Sequence, residues 1–163
     1  MRRKRNTSNR RIPALQTDEK GRIIAVCTSK TKGTVKHDVG EGLLIEELGI
    51  EGDAHSGFAH RQISLISIED IDTMRAKLPD LKPGSFAENL TTEGFNLGGV
   101  SIGDRLKVGE TLLEISQIGK ECHTHCEIYH KTGDCIMPQK GIFCRVIRGG
   151  KIKNGDTIEY AAQ

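Results

Sequence analysis

Side chains that can carry sulfur or bind a metal are concentrated in one part of the sequence. Four of the five cysteines and three of the six histidines fall between Gly119 and Cys144. Thiols and imidazoles this close together can share a metal ion, a proton or a sulfur atom. The members of this cluster are Cys122, His123, His125, Cys126, His130, Cys135 and Cys144.

Three of these cysteines are candidates for covalent sulfur chemistry. A thiol that carries sulfane sulfur must react as a thiolate, and nearby positive charge favours the thiolate form. Lys120, His123 and His125 are neighbours of Cys122 and Cys126 in the sequence. We take Cys126, Cys122 and Cys135 as catalytic candidates. Cys27 and Cys144 lie within apolar runs, which predicts that they are packed in the core.

A metal site is the alternative interpretation of the same segment. Cys122, Cys126 and Cys135, with His123, His125 or His130, could supply four ligands to zinc. The spacing of these cysteines is not that of a standard zinc motif, so the metal remains unassigned. Molybdenum is also compatible, because soft thiolates suit such a centre.

Three residues outside the cluster are candidates for holding a cofactor. His55 lies in a glycine-rich segment, and a structural role is its alternative. Arg61 precedes a predicted strand, where its guanidinium could pair with a phosphate or form a surface ion pair. Asn89 could donate to and accept from a pterin edge, or stabilise a turn.

Composition and charge limit the class of protein. The chain has 163 residues, a net charge of +2 and no apolar run long enough to cross a membrane. An odd number of cysteines clustered with histidines favours reduced thiols and a cytoplasmic location over a disulfide framework. Residues 1–20 are basic and polar, which predicts a disordered extension; a nucleic-acid-binding arm is less favoured.

The elements that must position these residues are mostly strands. Apolar runs with glycine turns predict strands over Ile23–Cys27, over Gln62–Ser67 and repeatedly from Val100 to Ile158. Ser67 with Asp70 predicts a capped helix that continues through Leu78. The segment Lys36–Gly57 is too irregular for a regular element. We therefore expect a mainly β fold, a strongly bent mixed sheet or small β-barrel, with one or two short helices.

Seven stretches, taken in order, resemble the MOSC family, which includes the C-terminal domain of molybdenum cofactor sulfurases and short bacterial proteins. They are GIEGDAHSG (Gly49 to Gly57), RQISLIS (Arg61 to Ser67), PGSFAENLTTEG (Pro83 to Gly94), IGDRLKVGE (Ile102 to Glu110), ISQIGKECHTHCEI (Ile115 to Ile128), GDCIMPQKGIFCRVI (Gly133 to Ile147) and GGKIKNGDTI (Gly149 to Ile158).

This resemblance implies a barrel-like domain over residues 21–163, a molybdenum cofactor (molybdopterin) and a cysteine that carries or donates sulfur. By position in the family, Cys126 is the first choice. The extra nearby thiols depart from longer relatives and leave Cys122 and Cys135 as competitors. The expected partners are a cysteine desulfurase or other sulfur donor and a molybdenum-cofactor enzyme or biosynthesis protein, with neither membrane nor nucleic acid among them.

The predicted function is sulfur transfer to the molybdenum cofactor or a related acceptor through a cysteine persulfide, the reaction of a sulfurtransferase. The alternative is a non-catalytic module that binds molybdenum cofactor or zinc. The chain is too short to add a pyridoxal-phosphate desulfurase domain, so we expect no pyridoxal phosphate and a separate source of activated sulfur.

Overall fold

The architecture was determined from a computed structural model, which describes residues 19–32, 34–57, 59–119 and 140–162. The described chain is mainly β-strand, as the sequence predicts. The strands are β1 Lys20–Thr28, β2 His37–Asp38, β3 Glu41–Ile45, β4 Gly49–Ile50, β5 Ile63–Ser67, β6 Leu90–Glu93, β7 Arg105–Val108, β8 Thr111–Ile118, β9 Ile142–Arg148, β10 Gly150–Lys153 and β11 Thr157–Tyr160. The helices are α1 Ile68–Met74 and the 3-10 helix Leu97–Gly99.

Seven of the described strands close into a mixed β-barrel. Their order is β11-β7-β8-β9-β5-β6-β1, and β1 pairs again with β11 to complete the circle. The β5–β6 pair is parallel, whereas the other pairs in the barrel are antiparallel. Closure removes the free edges that an open sheet would present. β2 adds to the end of β1 outside this circle.

A second, smaller sheet forms where the sequence predicted no regular element. In it β3 pairs with both β10 and β4, in the order β10-β3-β4. The prediction of an irregular 36–57 segment is therefore wrong, because β2, β3 and β4 lie within it. β2 and β4 have two residues each, which is too short to show the alternation that marks a strand.

The helix α1 begins where predicted and ends early. Ser67 caps it, because its hydroxyl accepts a hydrogen bond from the Asp70 amide at 3.2 Å. The predicted end at Leu78 is wrong: the helix ends at Met74, and the chain continues as turns. The Arg75 amide donates to both the Ile71 and Asp72 carbonyls, which is the tighter geometry typical of a helix end.

Two apolar clusters fix the positions of the elements. The larger one fills the barrel and includes Ile63, Leu65 and Cys144. The smaller one lies between α1 and the outer face of the barrel, where Ile66 and Phe143 pack with Ile71. β5 is therefore buried on both faces, which makes it a rigid support for the loops at its ends. No helix in the described parts of the chain is long and apolar enough to cross a membrane.

Candidate functional site

The predicted sulfur-carrying segment lies outside the described residues. Cys122, His123, His125, Cys126, His130 and Cys135 all fall within 120–139. The residues that flank this segment are described: the Gly119 amide donates to the Gly141 carbonyl at 2.8 Å. Because β8 ends at Ile118 and β9 begins at Ile142, the segment starts and finishes at neighbouring points of the barrel. The roles predicted for these cysteines and histidines remain predictions.

The other two cysteines are packed in the core, as predicted. Cys27 and Cys144 are free thiols with no exposed surface. Burial, reinforced by the nearby Glu88 and Asp38 carboxylates, raises the pKa of the Cys27 thiol to about 12. Burial also raises the pKa of the Cys144 thiol. Both side chains therefore remain protonated at neutral pH, and neither is suited to act as a nucleophile.

A buried ion pair lies at the end of β1 that leads into Ser29. Lys36 Nζ is 2.7 Å from Asp53 Oδ1, and both side chains are fully buried. Burial alone would raise the pKa of the Asp53 carboxyl, but hydrogen bonds from Lys36 and from the Ser29 amide outweigh it and lower the pKa below 3.8. Asp53 is therefore an anion in the folded protein at neutral pH.

Close backbone packing places Lys36 opposite Asp53. The Lys36 amide donates to the Gly84 carbonyl at 2.9 Å, and Gly84 has a φ of +90°. A Cβ at Gly84 would lie 2.1 Å from the Lys36 carbonyl oxygen, so only glycine fits this position. Asp53 is held in a turn, where its amide donates to the Ile50 carbonyl at 3.1 Å.

His55 is joined to this ion pair. Its Nδ1 lies 3.0 Å from Lys36 Nζ, and its backbone amide donates to Asp53 Oδ2 at 3.2 Å. The imidazole is half-buried, while Lys36 and Asp53 are enclosed. The His55 imidazole therefore lies between the buried ion pair and the surface of the protein.

Asn89 belongs to the same region but serves the framework. It is 1% exposed, and its Oδ1 accepts from the Ser64 amide at 3.1 Å. Its Nδ2 donates to the Cys27 carbonyl at 3.1 Å, and its side chain also hydrogen-bonds Asp53. These contacts give Asn89 the structural role that the sequence left as an alternative. Its contact with a cofactor remains a prediction.

Arg61 lies beside Phe143 on the outer face of the barrel. Its guanidinium carbon is 5.9 Å from the centroid of the Phe143 ring. The neighbouring His60 is exposed, and its Nε2 is 2.7 Å from Gln117 Oε1. Gln117 Nε2 in turn donates to the Gly119 carbonyl at 2.7 Å. His60 and Arg61 therefore lie near the point where the chain leaves β8.

Two cavities in the described chain carry more carboxylates than amines. One, of about 530 Å³, lies at the end of β5 and includes Glu19, Glu69 and Asp70, with Lys140 as its cation. The other, of about 750 Å³, has four acidic residues and two lysines. Such linings do not suit an anionic group.

Metal ligands do not gather within the described ranges. No group of three or more histidine, cysteine, aspartate or glutamate side chains there could hold a metal ion. The zinc alternative therefore depends on the 120–139 segment. The cofactor-binding roles predicted for His55 and Arg61 remain predictions.

Lys36 and Asp53 were missed by the sequence analysis. Lys36 stands among other charged residues, and nothing local marks it as buried. Asp53 follows a glycine in a stretch that the family resemblance already included. The signal in the sequence was an aspartate two residues before a predicted site histidine.

The described chain is a closed mixed β-barrel with a small side sheet. It holds a buried Lys–Asp ion pair beside an imidazole. The sequence profile of the MOSC domain matches residues 52–159. This match covers more than half of the chain, and the chain belongs to the MOSC family.

Known proteins share this sequence pattern and this barrel. The chain is 29% identical to Protein YiiM of Escherichia coli (strain K12) over 112 residues, which are 63% of this chain and 50% of that protein. The match thus spans half the length of that relative. The crystal structure of the YUAD protein from Bacillus subtilis has a TM-score of 0.73 and 22% identity, covering 88% of this chain and 97% of the other. YiiM from Geobacillus stearothermophilus has a TM-score of 0.65 and 19% identity, covering 87% and 75%. These two structures establish similarity of fold.

Proposed function

We propose that this protein carries sulfur as a cysteine persulfide and delivers it to the molybdenum cofactor or a related acceptor. The observation that carries the proposal is the state of the two described thiols. Cys27 and Cys144 are enclosed and protonated, so the thiols left for chemistry are Cys122, Cys126 and Cys135. Membership of the MOSC family supports a relation to that cofactor.

The first step is the transfer of sulfur between two cysteines. The thiolate of the carrier cysteine, Cys126 by first choice, attacks the terminal sulfur of a persulfide on a donor protein. One S–S bond forms on the carrier as the donor's S–S bond breaks, and the donor leaves as a thiolate. The exchange needs no external oxidant or reductant. A cysteine desulfurase or another persulfide-bearing protein serves as the donor.

The second step hands the terminal sulfur to the acceptor. A nucleophilic acceptor attacks the terminal sulfur. A bond forms between the acceptor and that sulfur, and the S–S bond of the carrier breaks to release the carrier thiolate, which is ready for another cycle. A molybdenum cofactor, as the acceptor, would have to supply the two electrons that reduce sulfane sulfur to sulfide. In the proposal Arg61 pairs with its phosphate, His55 donates a hydrogen bond, and His123 and His125 favour the thiolate of the carrier.

Single replacements test which thiol carries sulfur. Cys122→Ser, Cys126→Ser and Cys135→Ser are each incubated with a cysteine desulfurase and free cysteine, and the persulfide is located by mass spectrometry. We expect the variant that lacks the carrier to lose loading, with Cys126→Ser affected most. Cys144→Ala is the matched control and should load like the parent. Unchanged loading in all three serine variants contradicts the proposal.

The metal-binding alternative predicts a different result in the same preparation. Protein purified without chelators would then contain zinc or molybdenum in a fixed ratio to the chain, and its thiols would resist loading. Elemental analysis beside the persulfide assay therefore separates a sulfur carrier from a module that only binds its ligand. Removal of the metal would in that case destabilise the fold.

A further inference from the structure

The hydrogen bonds around Lys36 restrict the protonation state of His55. An ammonium has three N–H donors and no acceptor. Within the described residues Lys36 Nζ has three partners: Asp53 Oδ1 at 2.7 Å, Ser29 Oγ at 3.2 Å and His55 Nδ1 at 3.0 Å. The number of donors thus equals the number of partners, and each partner must accept.

The other contacts of the three partners agree with this assignment. The Ser29 hydroxyl has one proton, which it donates to the Thr31 carbonyl at 3.0 Å, so its oxygen is left to accept from Lys36. The Asp53 carboxylate can only accept, and its Oδ1 also takes the Ser29 amide at 3.1 Å. His55 Nδ1 therefore faces an N–H of Lys36 and carries no proton itself.

A neutral imidazole has one proton, so the hydrogen of the His55 ring must be on Nε2. A second proton, on Nδ1, would point at the Lys36 ammonium and cost both the hydrogen bond and the energy of two like charges in contact. Asp53 maintains this arrangement from the other side. Its Oδ1 holds the ammonium, and its Oδ2 accepts from the His55 backbone amide at 3.2 Å.

We propose that Lys36 and Asp53 are positioning residues that hold His55 as the neutral Nε2–H tautomer, which makes its Nε2 a hydrogen-bond donor and not a base. Any group that meets Nε2, from the chain or from a ligand, is then an acceptor, such as a phosphate or carbonyl oxygen. That this group belongs to a molybdenum cofactor rests on the proposed function. The tautomer does not, because it follows from the contacts of Lys36 with the described residues.

Nitrogen-15 NMR of the imidazole rings, recorded on the full chain at neutral pH without ligand, tests the proposal. His55→Gln, which removes the ring, assigns the signals. We expect a pyridine-type Nδ1 and a pyrrole-type, proton-bearing Nε2 for His55. The exposed His37 provides a reference ring in the same spectrum. A proton on Nδ1, in the other tautomer or in the doubly protonated ring, would overturn the proposal.

Two variants test whether Lys36 sets the tautomer. Lys36→Met removes the donor, and the His55 signals should shift toward the averaged pattern of two exchanging tautomers. Ser29→Ala is the matched control, because it removes another partner of the same ammonium and should leave the His55 pattern unchanged. A Lys36→Met protein that keeps the parent pattern contradicts the role of Lys36. If that variant does not fold, the parent spectrum decides the question.

Discussion

Lys36 and Asp53 form an ion pair in which neither side chain has any exposed surface and Nζ lies 2.7 Å from Oδ1. A charge pair enclosed in this way is compensated only while both members are present. Removing one leaves the other buried without a counter-charge, which costs more than the pair itself contributes. This asymmetry gives the pair a measurable signature in stability.

The single variant Lys36→Met should lower the free energy of unfolding by about 3–5 kcal/mol, because it strands the Asp53 carboxylate. The double variant Lys36→Met, Asp53→Asn should recover part of this loss, since no unpaired charge remains. Urea denaturation of the two proteins and the parent measures the difference. A double variant that is less stable than the single one would contradict this account.

The same pair should make stability depend on pH at the acid end. The folded pKa of Asp53 lies below its usual value of 3.8, so its contribution is complete above that value and is lost as the pH falls through the folded pKa. Free energies of unfolding measured from neutral pH to pH 2 should show this decline. The double variant should show a shallower one. An equal loss of stability with falling pH in the parent and the double variant would rule out Asp53 as a source of the decline.

Thiol reactivity should differ sharply among the five cysteines. Cys27 and Cys144 are buried with raised pKa values, so iodoacetamide at pH 8 should leave both unmodified in the folded protein. In urea both should react like ordinary thiols. Peptide mapping by mass spectrometry measures each site separately. Fast labelling of Cys27 in the folded state would contradict its burial.

Gly84 should tolerate no side chain. Gly84→Ala places a Cβ against the Lys36 carbonyl in addition to forcing alanine to a φ of +90°, and we expect a loss of about 2–4 kcal/mol. Gly103→Ala is a close control, because Gly103 has a φ of +93° with no neighbouring atom within 4 Å. It should lose only about 1 kcal/mol. Equal losses would mean that the backbone contact with Lys36 contributes nothing.

The Ser67 cap should stabilise the short helix α1. Ser67→Ala removes the acceptor for the Asp70 amide and should cost about 1 kcal/mol in thermal or urea unfolding. Thr73→Ala is the comparison, because Thr73 is exposed on the same helix and its hydroxyl donates a hydrogen bond to the Asp70 carbonyl within that helix. That change should remain within about 0.5 kcal/mol. A larger effect at Thr73 would argue against the cap.

The sequence predicted those parts of the fold that are local. The apolar run of β5 ends at the capping Ser67, and glycine turns separate β7 from β8 and β9, β10 and β11 from one another, so these strands were identifiable from pattern. The early end of α1 was not, because it depends on turns that pack Leu78 and Leu81 against the barrel. Closure through β1 and β11 joins the two ends of the described chain, and no local pattern encodes it.

The candidate site also contains residues that the sequence could identify and residues that it could not. His55 and Arg61 were identifiable from residue type and position in a loop. Lys36 was not, because it meets Asp53 across 17 residues that contain three short strands. Asn89 was predicted to contact the cofactor because an amide can both donate and accept hydrogen bonds. Its neighbours Ser64 and Cys27, distant in sequence, show what its amide does in the fold.

Persulfide loading of a chain with serine at positions 122, 126 and 135 tests the central claim most directly. This variant keeps Cys27 and Cys144, so it asks whether the enclosed thiols can carry sulfur in the folded state. After incubation with a cysteine desulfurase and free cysteine, intact-mass spectrometry should show one added sulfur on the parent and none on the variant. A variant that gains sulfur as fully as the parent would contradict the account.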